Sequence, residues 1–143
     1  MNVAGILKVK GSDVITTSPS DSIAAVSNVL GEKRIGAVLI VDESGKLCGV
    51  LSERDIVRGL SESGDGCLKL RASDLMTSDL VTTSPSETID NVMALMTEKR
   101  IRHLPVLEDG KLAGFISIGD VVKSRMDEVE REAAALRDYI ATG

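Results

Sequence analysis

The chain writes one passage twice, and that duplication constrains its fold more than any other feature. "DVITTSPSDSI" at 13–23 returns as "DLVTTSPSETI" at 79–89, an offset of 66 (79 − 13). "EKRI" at 32–35 recurs unchanged at 98–101. "SGKLCGVLS" at 44–52 returns as "DGKLAGFIS" at 109–117, where the offset is 65 (117 − 52) because "DESGK" has shortened to "EDGK". A turn is where such a deletion is best tolerated. Self-similarity over this length means two supersecondary units of one kind, each with too few apolar residues to hide its own sheet.

Each copy reads β-α-β-β-α. A short strand, "VITT" or "LVTT", is broken by "SPS", and Ser or Asp/Glu then caps a helix. Ile23, Val26 and Leu30 recur at helical spacing, as do Ile89, Val92 and Met96. "AVLIV" or "LPVL" forms a hairpin with "LCGVLS" or "LAGFIS" across a Gly-containing turn. A second helix starts at about Arg54 or Gly119. The expected fold class is α+β: two repeats related by a pseudo-two-fold axis and packed through their sheets, with two equivalent clefts. The predicted divisions are repeat 1 at 1–62, a connector at 63–72, repeat 2 at 73–126 and a C-terminal amphipathic helix at 127–143. Gly and Ser predict a loop in the connector as far as Leu68, and "RASDLM" at 71–76 parallels "VAGILK" at 3–8 as a helical lead-in. In the last segment Val122, Met126, Val129, Ala133, Leu136 and Ile140 are spaced 4, 3, 4, 3 and 4 apart. That is an a/d seam, suited to a coiled-coil dimer or to packing on its own domain.

The chain has 143 residues, one domain's worth, and a formal charge of −5. An acidic surface argues against nucleic-acid binding, and one Phe, one Tyr and no Trp leave nothing on which to stack bases. Cys48 and Cys67 form no Cys-x-x-Cys pair, and with a single histidine no metal site is legible. Cys48, in a strand-like run, is expected in the core, and both thiols are expected reduced. The longest apolar run, "AVLIV", is too short for a bilayer, and the N-terminus lacks signal-peptide character, so a cytoplasmic protein is expected.

Gly49-x-x-Ser52-x-x-Asp55 and Gly114-x-x-Ser117-x-x-Asp120 end the two hairpins. A serine at a helix start, with free N–H groups beside it, favours an anion such as phosphate. An aspartate in the first turn can accept from both hydroxyls of a ribose. Glycine keeps the strand slim where another group approaches. The plainer alternative is that the acids only complement the helix dipole.

These motifs, with "SPS" and "RIRHLPV" at 100–106, resemble paired cystathionine-β-synthase (CBS) domains, the Bateman module, over roughly residues 1–126. The resemblance implies a stand-alone regulatory module binding AMP, ADP, ATP, S-adenosylmethionine or NAD(H) as regulatory ligand, and often a homodimer. It also implies clefts shared between repeats. Asp120, with Ser117 and Gly119, would use Thr17, Ser18, Ile23, Ile35, Gly36 and Ala37; Asp55, with Ser52 and Arg54, would use Thr83, Ser84, Ile89, Ile101, Arg102 and His103. Repeat 2 offers Arg102 and His103 where repeat 1 has Gly36 and Ala37, and repeat 1 offers Arg54 where repeat 2 has Gly119. The clefts are therefore expected to bind unequally. Arg54 can equally be a solvated surface residue, and His103 a satisfied interface residue, a phosphate contact, or a metal or catalytic group. No nucleophile–base pair, P-loop or Gly-x-Gly-x-x-Gly is present, so no enzymatic activity is expected. The expected function is sensing energy or redox state through an adenine nucleotide and passing it to a protein partner or to the chain's own oligomer. The alternative is a protein-interaction adaptor with vestigial clefts.

Overall fold

The computed structural model describes residues 1–142. They form two compact units: Val14–Val81, and Met1–Asp13 together with the chain from Thr82 onward. The α+β class and the presence of a C-terminal helix are as expected from the sequence, whereas the element order departs from it in the connector and at "LVTT". Among the described residues no helix is long and apolar enough to cross a membrane.

In the unit Val14–Val81, β1 (Thr16–Thr17) runs parallel to β2 (Ala37–Val41), which pairs antiparallel with β3 (Leu47–Ser52). The hairpin turns on Asp42, whose Oδ1 accepts from the N–H groups of Ser44 and Lys46 and from the Ser44 hydroxyl, with Gly45 at φ +85°. Helix α2 (Ile23–Lys33) is capped by Ser22, whose hydroxyl accepts from the Ala25 N–H, and stops where Arg34 turns left-handed. Helix α3 (Glu53–Ser63) follows β3 directly. Ile23, Val26 and Leu30 of α2 pack with Val38, Ile40, Leu51 and Ile56 to form the core.

The connector is not a loop. It carries a 3-10 turn at Gly64–Lys69, then α4 (Ala72–Leu75). Cys67 is fully buried against this core, whereas Cys48 is only half-buried. The core cysteine is thus the one in the connector, because the 3-10 turn folds back over α2 and α3.

The second unit contains α1 (Val3–Lys10), α5 (Ile89–Lys99), the hairpin β4 (His103–Glu108) with β5 (Lys111–Ser117), and α6 (Ile118–Thr142). The expected strand "LVTT" shrinks to a single parallel bridge, Thr83 to Val106. Pro105 is the reason. In the first copy Leu39 donates its N–H to the Ile15 carbonyl (3.4 Å); Pro105 occupies Leu39's place and has no N–H to give.

The lead-ins cross over. Helix α1 precedes repeat 1 but docks on repeat 2: Val3 and Ala4 donate N–H groups to the carbonyls of Glu87 and Pro85, each at 2.9 Å. In the other unit Ala72 and Ser73 donate to Asp21 (2.7 Å) and Pro19 (3.0 Å). Val3 therefore answers Ala72, an offset of 69 (72 − 3), one residue out of step with the sequence match of "VAGILK" to "RASDLM".

Candidate functional site

The hairpins bring the motif residues to one edge of each unit. Ala37 lies opposite Ser52, and Glu53 donates its N–H to the Gly36 carbonyl (2.9 Å). Gly36, Ala37, Ser52, Arg54 and Asp55 are therefore neighbours around the start of α3. In the other unit His103 lies opposite Ser117, and Ile118 donates its N–H to the Arg102 carbonyl (2.8 Å). That gathers Arg102, His103, Ser117, Gly119 and Asp120 around the start of α6.

The Ser-x-x-Asp spacing makes a reciprocal cap. Asp55 Oδ2 accepts from the Ser52 N–H (3.0 Å) and hydroxyl (3.1 Å), while the Asp55 N–H donates to Ser52 Oγ (3.3 Å). Asp120 Oδ2 accepts from the Ser117 N–H (2.8 Å), and the Asp120 N–H donates to Ser117 Oγ (3.2 Å). Capping alone accounts for serine and aspartate at this spacing. The copies differ at the second carboxylate oxygen. Asp55 Oδ1 accepts from Arg58 Nη2 at 2.8 Å, and Asp55 is buried. Asp120 Oδ1 has no hydrogen-bond partner among the described residues, and its side chain is 25% exposed.

Lys10, which sequence reasoning did not single out, reaches this carboxylate. Its Nζ donates to Asp120 Oδ2 (2.6 Å) and to the Phe115 carbonyl (2.8 Å). Burial pushes the Asp120 carboxyl up, but the Lys10 ammonium and the Ser117 N–H outweigh it and hold the group below its ordinary value. No sequence motif announces Lys10; it arrives only because α1 docks on the second repeat. Arg58 was legible in principle, one turn after Asp55 on the same helix.

The other expected site residues fall into three groups. Thr17 and Thr83 occupy equivalent places, and each has a hydroxyl shielded from water with no partner, as do Ser27 and Ser124. Ser18 and Ser84 open the "SPS" turns, their hydroxyls 3.0 and 3.2 Å from those of Ser20 and Ser86. Ile23 and Ile89 are core side chains at the starts of α2 and α5, while Ile35 and Ile101 are half-buried just after those helices. Arg54 and Arg102 are exposed. His103 is half-buried, its ring centroid 5.6 Å from that of Phe115.

Thr83 and Ser84 also line an open cavity of about 620 Å³ with Glu87, Asn91, Leu95 and Glu98. The Asn91 amide donates to Glu87 Oε1 (2.7 Å) and, with the Thr88 N–H, lowers that carboxyl's pKa. Two carboxylates on its wall suit amine or hydroxyl donors better than phosphate. Among the described residues no cluster of His, Cys, Asp or Glu could hold a metal ion.

The motif glycines are explained by their own unit. A Cβ on Gly49 would lie 2.7 Å from Met76 Sδ and 2.9 Å from the Thr77 carbonyl oxygen. A Cβ on Gly114 would lie 2.5 Å from Leu7 Cδ2. What approaches each strand is a lead-in segment.

A family model for the CBS domain matches this chain twice, at residues 8–62 and 72–127. The chain belongs to the CBS-domain family. This CBS pair is 30% identical to a mitochondrial CBS domain-containing protein of Arabidopsis thaliana, over 99% of this chain and 72% of that protein. Its fold matches the crystal structure of a CBS-domain protein from Agrobacterium tumefaciens with a TM-score of 0.85 and 42% identity, covering 87% of this chain and 92% of that one. It also matches a CBS domain pair solved in complex with 5′-methylthioadenosine and S-adenosyl-L-methionine, with a TM-score of 0.79 and 26% identity over 90% and 98% of the two chains.

Proposed function

We propose that this CBS pair is a non-catalytic regulatory module that binds an adenosine-containing ligand and reports cellular energy or redox state. The observation that carries the reading is the Asp120 carboxylate: one oxygen is fixed by Ser117 and Lys10, and the other stands open beside a helix N-terminus. A held carboxylate with a vacant acceptor suits a ribose hydroxyl, and the helix start beside it suits a phosphate. The related pair that holds two adenosine compounds supports the reading.

The ligand is AMP, ADP, ATP or NAD(H), contacted by Ser117, Gly119 and Asp120 in one unit and by Ser52 and Arg54 in the other, where Asp55 joins only by releasing Arg58. Thr17, Ser18, Ile23, Ile35, Gly36 and Ala37, with Thr83, Ser84, Ile89, Ile101, Arg102 and His103, complete the sites. The module acts as a homodimer and passes the signal on by binding ligand unequally in two states. Two unpaired thiols suit a reducing compartment, which supports a cytoplasmic placement.

A thermal-shift panel of AMP, ADP, ATP, NADH and S-adenosylmethionine tests this. At 100 times its dissociation constant a ligand adds about 2.7 kcal/mol and raises Tm by several degrees. No shift with any of the five contradicts the reading. An exposed apolar face on α6 favours a second reading, a protein-interaction adaptor.

A further inference from the structure

Helix α6 runs 25 residues, but its buried side chains, Val121 and Ser124, both lie in its first two turns. From Asp127 to Thr142 no side chain is buried. At 1.5 Å per residue that is about 24 Å of helix without a buried contact. An isolated helix of this length is marginal in water. Val122, Met126, Val129, Leu136, Tyr139 and Ile140 are all exposed, half of the large hydrophobic side chains the structure leaves in solvent. With Ala133, five of these form the a/d seam: Val122, Val129 and Leu136 at d, Met126, Ala133 and Ile140 at a. Val121 and Ser124 point into the unit, so the seam is not the face that α6 uses at home.

The charges flanking the seam choose what covers it. Lys123, Glu130 and Arg137 sit at e; Arg125 and Glu132 sit at g. In a parallel, in-register pair each g residue meets the e residue five positions later on the other chain. Arg125 then meets Glu130 of the second copy, and Glu132 meets Arg137 of the second copy, so all four such pairs of the dimer attract. An antiparallel pair that overlaps the same seam brings Glu130 to Glu130, Glu132 to Glu132 and Lys123 to Arg137, all repulsive. Arg125 is held at home by partly exposed ion pairs with Glu128 (3.4 Å) and Asp90 (3.9 Å), which contribute little and leave it able to turn.

We propose that the exposed seam of α6 binds the same helix of a second copy, parallel and in register, as a short two-stranded coiled coil. This rests on the homodimer element of the function proposed above and names its surface; it is independent of what the ligand sites bind. The seam spans two and a half heptads and couples the two chains at α6, whose first turn carries Asp120.

Two experiments on the full chain test the proposal: sedimentation of the wild type and of Leu136→Glu, and mild oxidation of a double variant, Cys48→Ser with Ile140→Cys. The wild type is expected to be a dimer, and Leu136→Glu to raise the dimer dissociation constant at least about tenfold with unchanged helix content. The double variant is expected to cross-link two chains through the thiol introduced by Ile140→Cys, because a parallel pair sets equivalent a positions within disulfide reach. A monomeric wild type overturns both this proposal and the homodimer. A dimer unmoved by Leu136→Glu overturns this surface and leaves the homodimer standing. Loss of the dimer in Leu136→Glu, with no cross-link in the double variant, overturns the parallel arrangement.

Discussion

Lys10 and Asp120 sit 110 residues apart in sequence and form a 2.6 Å ion pair that ties the N-terminal helix to the start of the last one. Lys10 is in the last turn of α1, where a cation also complements the helix dipole. The carboxylate it holds is the one with an open oxygen. The pair therefore joins a structural clamp to the candidate ligand acceptor.

The clamp has a pH signature. Asp120 titrates below its ordinary 3.8 in the folded chain, so its pairing stabilises the fold above that value and is lost as pH falls through the folded pKa. Lys10→Met is expected to cost roughly 0.5–1 kcal/mol at pH 7, both partners being partly exposed. Urea unfolding of wild type and variant at pH 7 and pH 3 checks this, and the difference between them shrinks at pH 3. A difference that grows on acidification contradicts it.

The two motif glycines predict unequal penalties. Gly49→Ala drives a methyl into the Met76 thioether and the backbone oxygen of Thr77, and backbone does not step aside. Gly114→Ala meets only the tip of Leu7, which can rotate. Gly49→Ala is expected to cost about 1–3 kcal/mol, and Gly114→Ala clearly less. Thermal or urea melts of the two variants decide the order.

Arg54 is exposed, so Arg54→Ala is expected to change stability by less than about 0.5 kcal/mol. If it faces a phosphate, the same change weakens AMP or ATP roughly fivefold or more while leaving 5′-methylthioadenosine, which has no phosphate, unaffected. No effect on either ligand places Arg54 in solvent, and an equal loss for both places it against the shared adenosine rather than a phosphate.

Much of the scaffold was legible because local rules decide it. Ser22 and Ser52 cap helices where the sequence puts serine before apolar periodicity, though in the second copy Thr88 takes the cap rather than Ser or Asp/Glu, and both hairpins follow their glycine turns. The single residue Pro105 reduced a matched strand to a bridge, a loss that depends on which edge of β4 faces Thr83. Two near-identical repeats offer near-identical docking edges, so nothing local told α1 to choose the second. Lys10 was invisible for that reason, and so was the burial of Cys67, which follows from where the connector folds back. At the candidate site the residue types were legible. Their use as a reciprocal cap, and the difference between an occupied Asp55 and an open Asp120, required geometry.

Isothermal titration of wild type and Asp120→Ala, side by side, with AMP, ATP, NADH and S-adenosylmethionine is the most direct test of the ligand site. At least one ligand is expected to bind the wild type, and Asp120→Ala to weaken it about 10- to 100-fold, or about 1.5–3 kcal/mol, with the variant still folded by circular dichroism. Undiminished affinity in Asp120→Ala, or no heat from any ligand with the wild type, contradicts the assignment of this carboxylate to an adenosine ligand.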